Sequence, residues 1–160
     1  MLNETYKKQV DYWFGYIRLV NNQQKMKILI WCGGVIIKDK KLLLTKRVAT
    51  KKNYPNCWTF PAGTLEDTDK TLADAAAREV NEEVNVDFVP TKKLGFYETN
   101  TEDSRILWFI YLWEWTGEIK PLNSEISDIR WFTYEEAKQL DLAFSYHETI
   151  QDLYDGGLIA

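Results

Sequence analysis

The residues best equipped for chemistry are Arg78-Glu79-Val80-Asn81-Glu82-Glu83, which set three carboxylates and one guanidinium side by side. They follow an alanine-rich run. From Thr71 to Val84 there is no Gly or Pro, which predicts a helix of about four turns. At about 100° per residue, Glu79, Glu82 and Glu83 share one side as i, i+3 and i+4. Ala73, Ala77, Val80 and Val84 gather on another side, where small alanines would let the helix lie close on a sheet and aim its acids outward. Like charges on one helical face repel, so folding does not ask for them. Divalent cations supply a reason: Mg²⁺ or Mn²⁺ takes carboxylate oxygens and keeps waters and substrate phosphates as its remaining ligands. A solvated charged face is the competing reading.

The elements before the helix must position these acids. Trp58-Thr59-Phe60 reads as a short strand and Pro61-Ala62-Gly63 as a turn, where Gly63 permits close backbone approach. Thr64 to Lys70 form a polar loop into the helix. The expected unit is strand, Gly loop, helix, with backbone carbonyls and amides beside the acidic face.

These residues resemble the box of the Nudix hydrolases, G-x5-E-x7-R-E-U-x-E-E-x-G-U with U aliphatic. Gly63 matches the first glycine; Arg78, Glu79, Val80, Glu82, Glu83 and Val86 match the core in order. The likeness extends over roughly Lys27 to Gly156. It implies that Glu79 and Glu83 ligate metal, that Glu82 ligates or supports it, and that Arg78 orients the carboxylates. A backbone carbonyl near Ala62 or Gly63 would complete the metal shell. Two departures stand out. The Gly63-to-Arg78 spacing is one residue long, so the first Glu position is shared between Asp69, which could reach Arg78, and Lys70, which could not. Asn85 replaces a glycine, and Asn is the next best residue for a left-handed helix end.

The length of 160 residues suits one domain with a real core, and the net charge of −4 argues against a general nucleic-acid surface. An anionic substrate remains compatible, because bound cations invert the local field. Cys32 lies in an apolar strand and Cys57 in a loop, without ligand-like spacing. No leader or membrane-spanning run is read, no membrane partner is expected, and a reducing cytoplasm is the expected location.

Residues 1–26 form an expected N-terminal extension to a domain over 27–160. In that extension Tyr6, Val10, Trp13, Ile17 and Val20 recur with helical spacing; packing on the domain is the simplest use of that face, covering the substrate or joining a homodimer the others. Ile28 to Ile37 read as a mostly buried strand with an interruption at Gly33-Gly34, a bulge or a close approach, and Lys41 to Arg47 as its return after a turn at 38–40. Arg47 is a candidate phosphate contact at a strand end, with Lys51 and Lys52 behind it. A strand region runs from Phe88 to Glu98. Arg105 to Trp115, dense in aromatics, reads as a central strand; a ring or two there could stack on a nucleobase. Glu125, just before the strand 126–132, matches a family position for a further metal ligand or for the base that activates water. Glu98 and Glu102 compete for that role. Thr133 to Glu136 read as a capped short helix and Tyr146 to Asp155 as a last helix closed by glycine. His147 reads as a surface group.

The resemblance implies an α/β fold, a Nudix-type α/β/α sandwich with a mixed sheet. It implies Mg²⁺-dependent (or Mn²⁺-dependent) hydrolysis of a diphosphate linkage in a nucleoside di- or triphosphate or a nucleotide-sugar. One alternative is a non-catalytic nucleotide sensor of the same fold. Another is an isopentenyl diphosphate isomerase-like enzyme, which needs histidines that TKRVATKKNYPNCWTF lacks.

Overall fold

The computed structural model describes residues 27–102, 104–122, 124–144 and 146–160. The expected N-terminal helix lies outside them. In chain order the elements are β1 (Lys27–Val35), β2 (Ile37–Lys38), β3 (Lys41–Arg47), β4 (Trp58–Thr59), β5 (Ala62–Thr64), α1 (Leu72–Val84), β6 (Val86–Asn100), β7 (Ser104–Gly117), β8 (Ile126–Phe132), α2 (Tyr134–Ala137) and α3 (Tyr146–Asp155).

One sheet runs β5-β1-β7-β6, with β1 and β7 parallel and the other pairs antiparallel. The second runs β2-β3-β4, with β8 on the other edge of β3. The aromatic strand β7 is therefore central, as its composition suggests, and the fold is α/β with a mixed sheet between helices. Helix α1 covers one side, where Ala75, Ala76, Val80 and Val84 pack with Cys32, Ile36, Leu43 and Phe88. Helix α3 covers the other, where Tyr146, Ile150 and Leu153 pack with Leu42, Leu44, Phe60 and Trp108. Leu42, Leu43 and Leu44 are all fully buried because β3 is covered on both faces. Each buried leucine contributes about 1.5–3 kcal/mol.

Three expectations change. The Gly33-Gly34 pair does not interrupt β1, whose register with β7 is unbroken. Of the two expected uses, there is no bulge and both glycines serve close approach: a Cβ on Gly33 would lie 2.5 Å from Ala62 Cβ, and one on Gly34 2.0 Å from Phe88 Cζ. Next, Ala62 and Gly63 belong to a strand rather than a turn, since they pair with Gly33 and Cys32 of β1. Finally, β6 starts at Val86 and runs to Asn100, absorbing Pro90 through register shifts at Pro90/Lys92 and Lys93/Gly95.

Helix α1 begins and ends as its sequence requires. The Thr71 side chain accepts from Asp74 N, and Asn85 closes the helix with φ 60° and ψ 38°. Thr133 and Glu136 form the expected capping box at α2.

Candidate active site

Asp69 resolves the longer spacing before the helix. Arg78 donates from Nε to Asp69 Oδ1 at 3.0 Å and from Nη2 to Oδ2 at 2.9 Å, a two-pronged pairing only a planar fork makes. Asp69 Oδ2 also accepts the Glu66 amide at 2.9 Å, which closes the loop on itself. These bonds hold the Asp69 carboxyl below its usual range and keep Arg78 protonated. From this anchor Arg78 reaches the Thr64 carbonyl at 2.9 Å, Glu79 Oε1 at 2.9 Å and Glu82 Oε2 at 3.3 Å.

The acidic side of α1 is not uniformly outward. Of the expected packed face, Val80 and Val84 are buried and Ala77 packs half-buried beside them, but Ala75, Ala76 and Glu83 are buried where Ala73 was expected. That rotation turns Glu83 inward to 7% exposure, while the Glu82 side chain stays 54% exposed. Glu79 lies between, its side chain 14% exposed. Its carboxylate rests where a Gly63 side chain would be: a Cβ there would come 2.2 Å from Glu79 Oε2. This is the close approach that requires Gly63.

Glu79 and Glu83 face a cleft of about 230 Å³ that Gly63, Arg47, Lys51 and Glu125 also line, with Trp31 as its aromatic wall. The strand end aims Arg47, since the β3–β8 register shifts between Lys46 and Arg47. The Arg47 Nε donates to the Asn53 carbonyl at 3.2 Å, and its guanidinium lies over Phe144, 5.8 Å from the centroid. Glu125 enters from the start of β8. Its carbonyl accepts the Val48 amide at 3.0 Å, and its carboxylate is paired with the Lys51 ammonium. The rivals lie elsewhere: Glu98 pairs with Arg105 at 3.1 Å, and Glu102 lines a different cavity. Glu82 and Lys52 are not among the cleft-lining residues, and neither are Cys57, half-buried, and His147, exposed on α3.

Burial raises the Glu83 carboxyl to about 8, and the Glu79 charge adds to the rise. Arg47 and the Ala62 amide oppose it. Glu79 is also raised, first by burial, against the pull of Arg78. One Glu83 oxygen, Oε2, is buried with no hydrogen-bond partner. An orphaned carboxylate oxygen beside a second carboxylate fits a hard cation. Among the described residues no three His, Cys, Asp or Glu side chains converge on one point. Mg²⁺ is commonly held by one or two carboxylates with waters and phosphates, and Glu79 and Glu83 put two carboxylates in this cleft.

Sequence reasoning named Arg47, Gly63, Glu79, Glu83 and Glu125, which line this cleft, and Arg78 and Glu82, which do not. It missed Trp31 and the Lys51–Glu125 pair, because a strand tryptophan and a loop lysine have no spacing that sets them apart. The NUDIX domain profile matches residues 32–153. The chain is 49% identical over 65 residues to an uncharacterized Nudix hydrolase, NudL, of Cronobacter sakazakii, over 41% of this chain and 33% of that one. It is 29% identical over 125 residues to an ADP-ribose pyrophosphatase of Methanocaldococcus jannaschii, over 74% of this chain and 69% of that one. The chain covers between 21% and 41% of the length of three curated relatives, this NudL among them. A MutT protein from Methanosarcina mazei Go1 shares the fold at a TM-score of 0.73 and 19% identity, covering 84% of this chain and 98% of that one. With the box, the cleft and a profile match over most of its length, the chain belongs to the Nudix family.

Proposed function

We propose that this chain hydrolyses the diphosphate linkage of a nucleoside di- or triphosphate or a nucleotide-sugar, dependent on Mg²⁺ or Mn²⁺. The observation that carries the reading is the pair Glu79, packed against Gly63, and Glu83, buried in the same cleft with one oxygen unpartnered. Membership of the family and the ADP-ribose pyrophosphatase relative support it.

Glu79 and Glu83, with a Gly63 backbone oxygen, would hold the metal, and Glu82 would support it from the outer side. When bound, the metal neutralises phosphate oxygens and lowers the pKa of water. Arg78 fixes the Glu79 rotamer through the Asp69 anchor, so the acid is preorganised. Arg47 binds a phosphate from the opposite wall. Glu125 takes the proton of the attacking water. The water oxygen bonds to one phosphorus, the bridging P–O bond breaks, and the bridging oxygen leaves with the other phosphate. A purely binding protein would have no use for two repelling buried acids, which favours hydrolysis over a nucleotide sensor.

The test is product analysis over a panel of nucleoside di- and triphosphates and nucleotide-sugars, with Mg²⁺, Mn²⁺ or chelator. Two phosphate-bearing or phosphate products from at least one substrate, only with metal, are expected. Failure to cleave any of them in either metal overturns the reading.

A further inference from the structure

Helix α1 covers only part of its side of the first sheet. It packs with Cys32, Ile36 and Phe88, and beyond Cys32 the same face continues along β1, β7 and β6. Strand alternation puts Ile28 and Ile30 on the side of Cys32, and Leu107 on the side of Phe109. The register sets Ile30 beside Leu107, and Phe109 between Cys32 and Phe96. Phe96 packs on Phe109 with ring centroids 5.2 Å apart. Ile28 is nevertheless 49% exposed and Phe96 41%, while Ile30, Leu107 and Phe109 are half-buried. Charged groups rim this face. Lys93 Nζ lies 4.8 Å from the Phe109 ring centroid, and Glu98 pairs with Arg105 at 3.1 Å. An apolar patch with a polar rim marks an interaction surface.

Three observations choose its occupant. The first is where the chain outside the described residues ends. Residues 1–26 lead into Lys27, which opens β1 opposite Ser104 of β7, beside Ile28 and at the rim of the face. The second is their pattern. Tyr6, Val10, Trp13, Ile17 and Val20 share one side at helical spacing, with Lys8 and Gly15 opposite. A free helix of this length is marginal in water and Gly15 weakens it, so the helix needs a surface. The third is reach. A helix from Tyr6 to Val20 would span about 22 Å, against roughly 13 Å from Ile28 to Cys32 and roughly 10 Å across to β6. Residues 21–26 extend to about 20 Å, enough to turn the chain back over the sheet.

A second copy of the chain is a poorer occupant. The edge strand is β6, and Pro90, the exposed Lys92 and Lys93 and two register shifts make it a weak template for pairing. Nor does this face belong to the acidic cleft. Trp31, which lines the cleft, packs with the α3-side core, while its neighbour Ile30 packs with the α1-side core.

We propose that residues 6–20 form a helix whose apolar side docks on the face of Ile28, Ile30, Leu107, Phe109 and Phe96, completing the layer that α1 begins. The segment then belongs to the domain's own core and is not a cover for the cleft.

Two measurements on the full chain test this. The first is photocrosslinking from a benzophenone side chain placed at position 17, with peptide mapping of the adducts. Intramolecular adducts to the peptides holding Phe96 or Leu107–Phe109 are expected. Adducts confined to the cleft around Gly63, adducts to a second copy, or none beyond residues near in sequence overturn the proposal. The second is a thermal-unfolding cycle. Trp13→Ser and Leu107→Ser should each lower the melting temperature by about 4–8 °C. The double variant should lose clearly less than the sum, because residues in one packed layer are coupled. Lys8→Gln, on the opposite side, should melt within about 1 °C of the parent. Strictly additive losses, no loss in Trp13→Ser, or an equal loss in Lys8→Gln overturn the docking. If Leu107→Ser does not fold, Ile28→Ser at the rim takes its place in the cycle.

Discussion

On the proposed reading, Glu83 is a residue that costs the fold and serves the site. Its carboxyl stands at about 8 instead of 4.5 because burial disfavours the ion. Between those values the metal-free folded protein holds a proton that the unfolded chain has released. Its stability should therefore fall as pH rises from about 4.5 to 8. Glu83→Gln has no such proton to lose. In chelator at pH 8 it should unfold later than the parent, by about 1–3 kcal/mol, and that advantage should shrink toward pH 5. Turnover in Mg²⁺ should nonetheless drop by two orders of magnitude or more, on the order of a lost electrostatic stabiliser. Thermal unfolding across pH, beside the Mg²⁺-dependent rate, checks both. A variant that melts earlier than the parent at pH 8 would make Glu83 a structural acid. Arg78 should behave oppositely. Arg78→Lys exchanges a fork bonded to Asp69, Glu79 and Thr64 for a point charge. Both stability, by about 1–3 kcal/mol, and rate should fall. A Lys variant with parental melting and turnover would remove the orienting role.

At the scale of elements, the site depends on how closely α1 approaches the β5–β1 edge, and two glycines set that distance in different ways. Gly34 meets apolar core: its Cβ would strike Phe88 Cζ at 2.0 Å and Val80 Cγ2 at 2.8 Å. Gly34→Ala should push β6 and α1 outward and cost about 1–3 kcal/mol, more if the ring cannot move. Gly63 meets the end of a side chain, Glu79, at 2.2 Å. Gly63→Ala should leave the fold intact and displace the carboxylate, lowering turnover by about tenfold or more, since a misplacement near 1 Å is costly in a preorganised site. Melting temperatures and rates for the two variants should separate: the first loses mainly stability, the second mainly activity. Equal melting losses in both would mean that α1 cannot relax around either position.

On the scale of the whole molecule, the cleft lies where the two sheets meet. Helix α1 and β5 belong to the first sheet's side; Arg47 and Glu125 come from β3 and β8 of the second. A cation held by Glu79 and Glu83 binds the folded chain and not the unfolded one. At a hundred times its Kd, Mg²⁺ should stabilise the protein by about 2.7 kcal/mol, a rise of roughly 5–10 °C for a domain of this size. Glu83→Gln should lose most of that rise. Melting curves over a Mg²⁺ series decide it: an equal rise in the variant would locate the stabilising ion elsewhere. No helix among the described residues is long and apolar enough to cross a membrane.

Local chemistry wrote much of this protein into its sequence. The Gly-free run after Thr71, the Asn at its end and the i, i+3, i+4 acids are short-range features, and short-range features survive folding unchanged. So the helix, its Asn85 end, the aromatic central strand and the run of acids were all legible, while the Thr71 cap emerged only in the fold. The loop, one residue longer, left the first Glu position of the box shared between Asp69 and Lys70, of which only Asp69 could reach Arg78. The folded loop chose Asp69, which accepts two guanidinium bonds and an amide at once. Which acids face inward was likewise a tertiary decision. A helical wheel puts Glu79, Glu82 and Glu83 together, but rotation of α1 against the sheet buries Glu83 and leaves Glu82 exposed. The meeting of Glu125 with Lys51, and of Tyr54 with Phe144, joins positions far apart along the chain. No spacing rule encodes such contacts; they arise from the pairing of β8 with β3 and from the packing of loops that only the complete fold brings together.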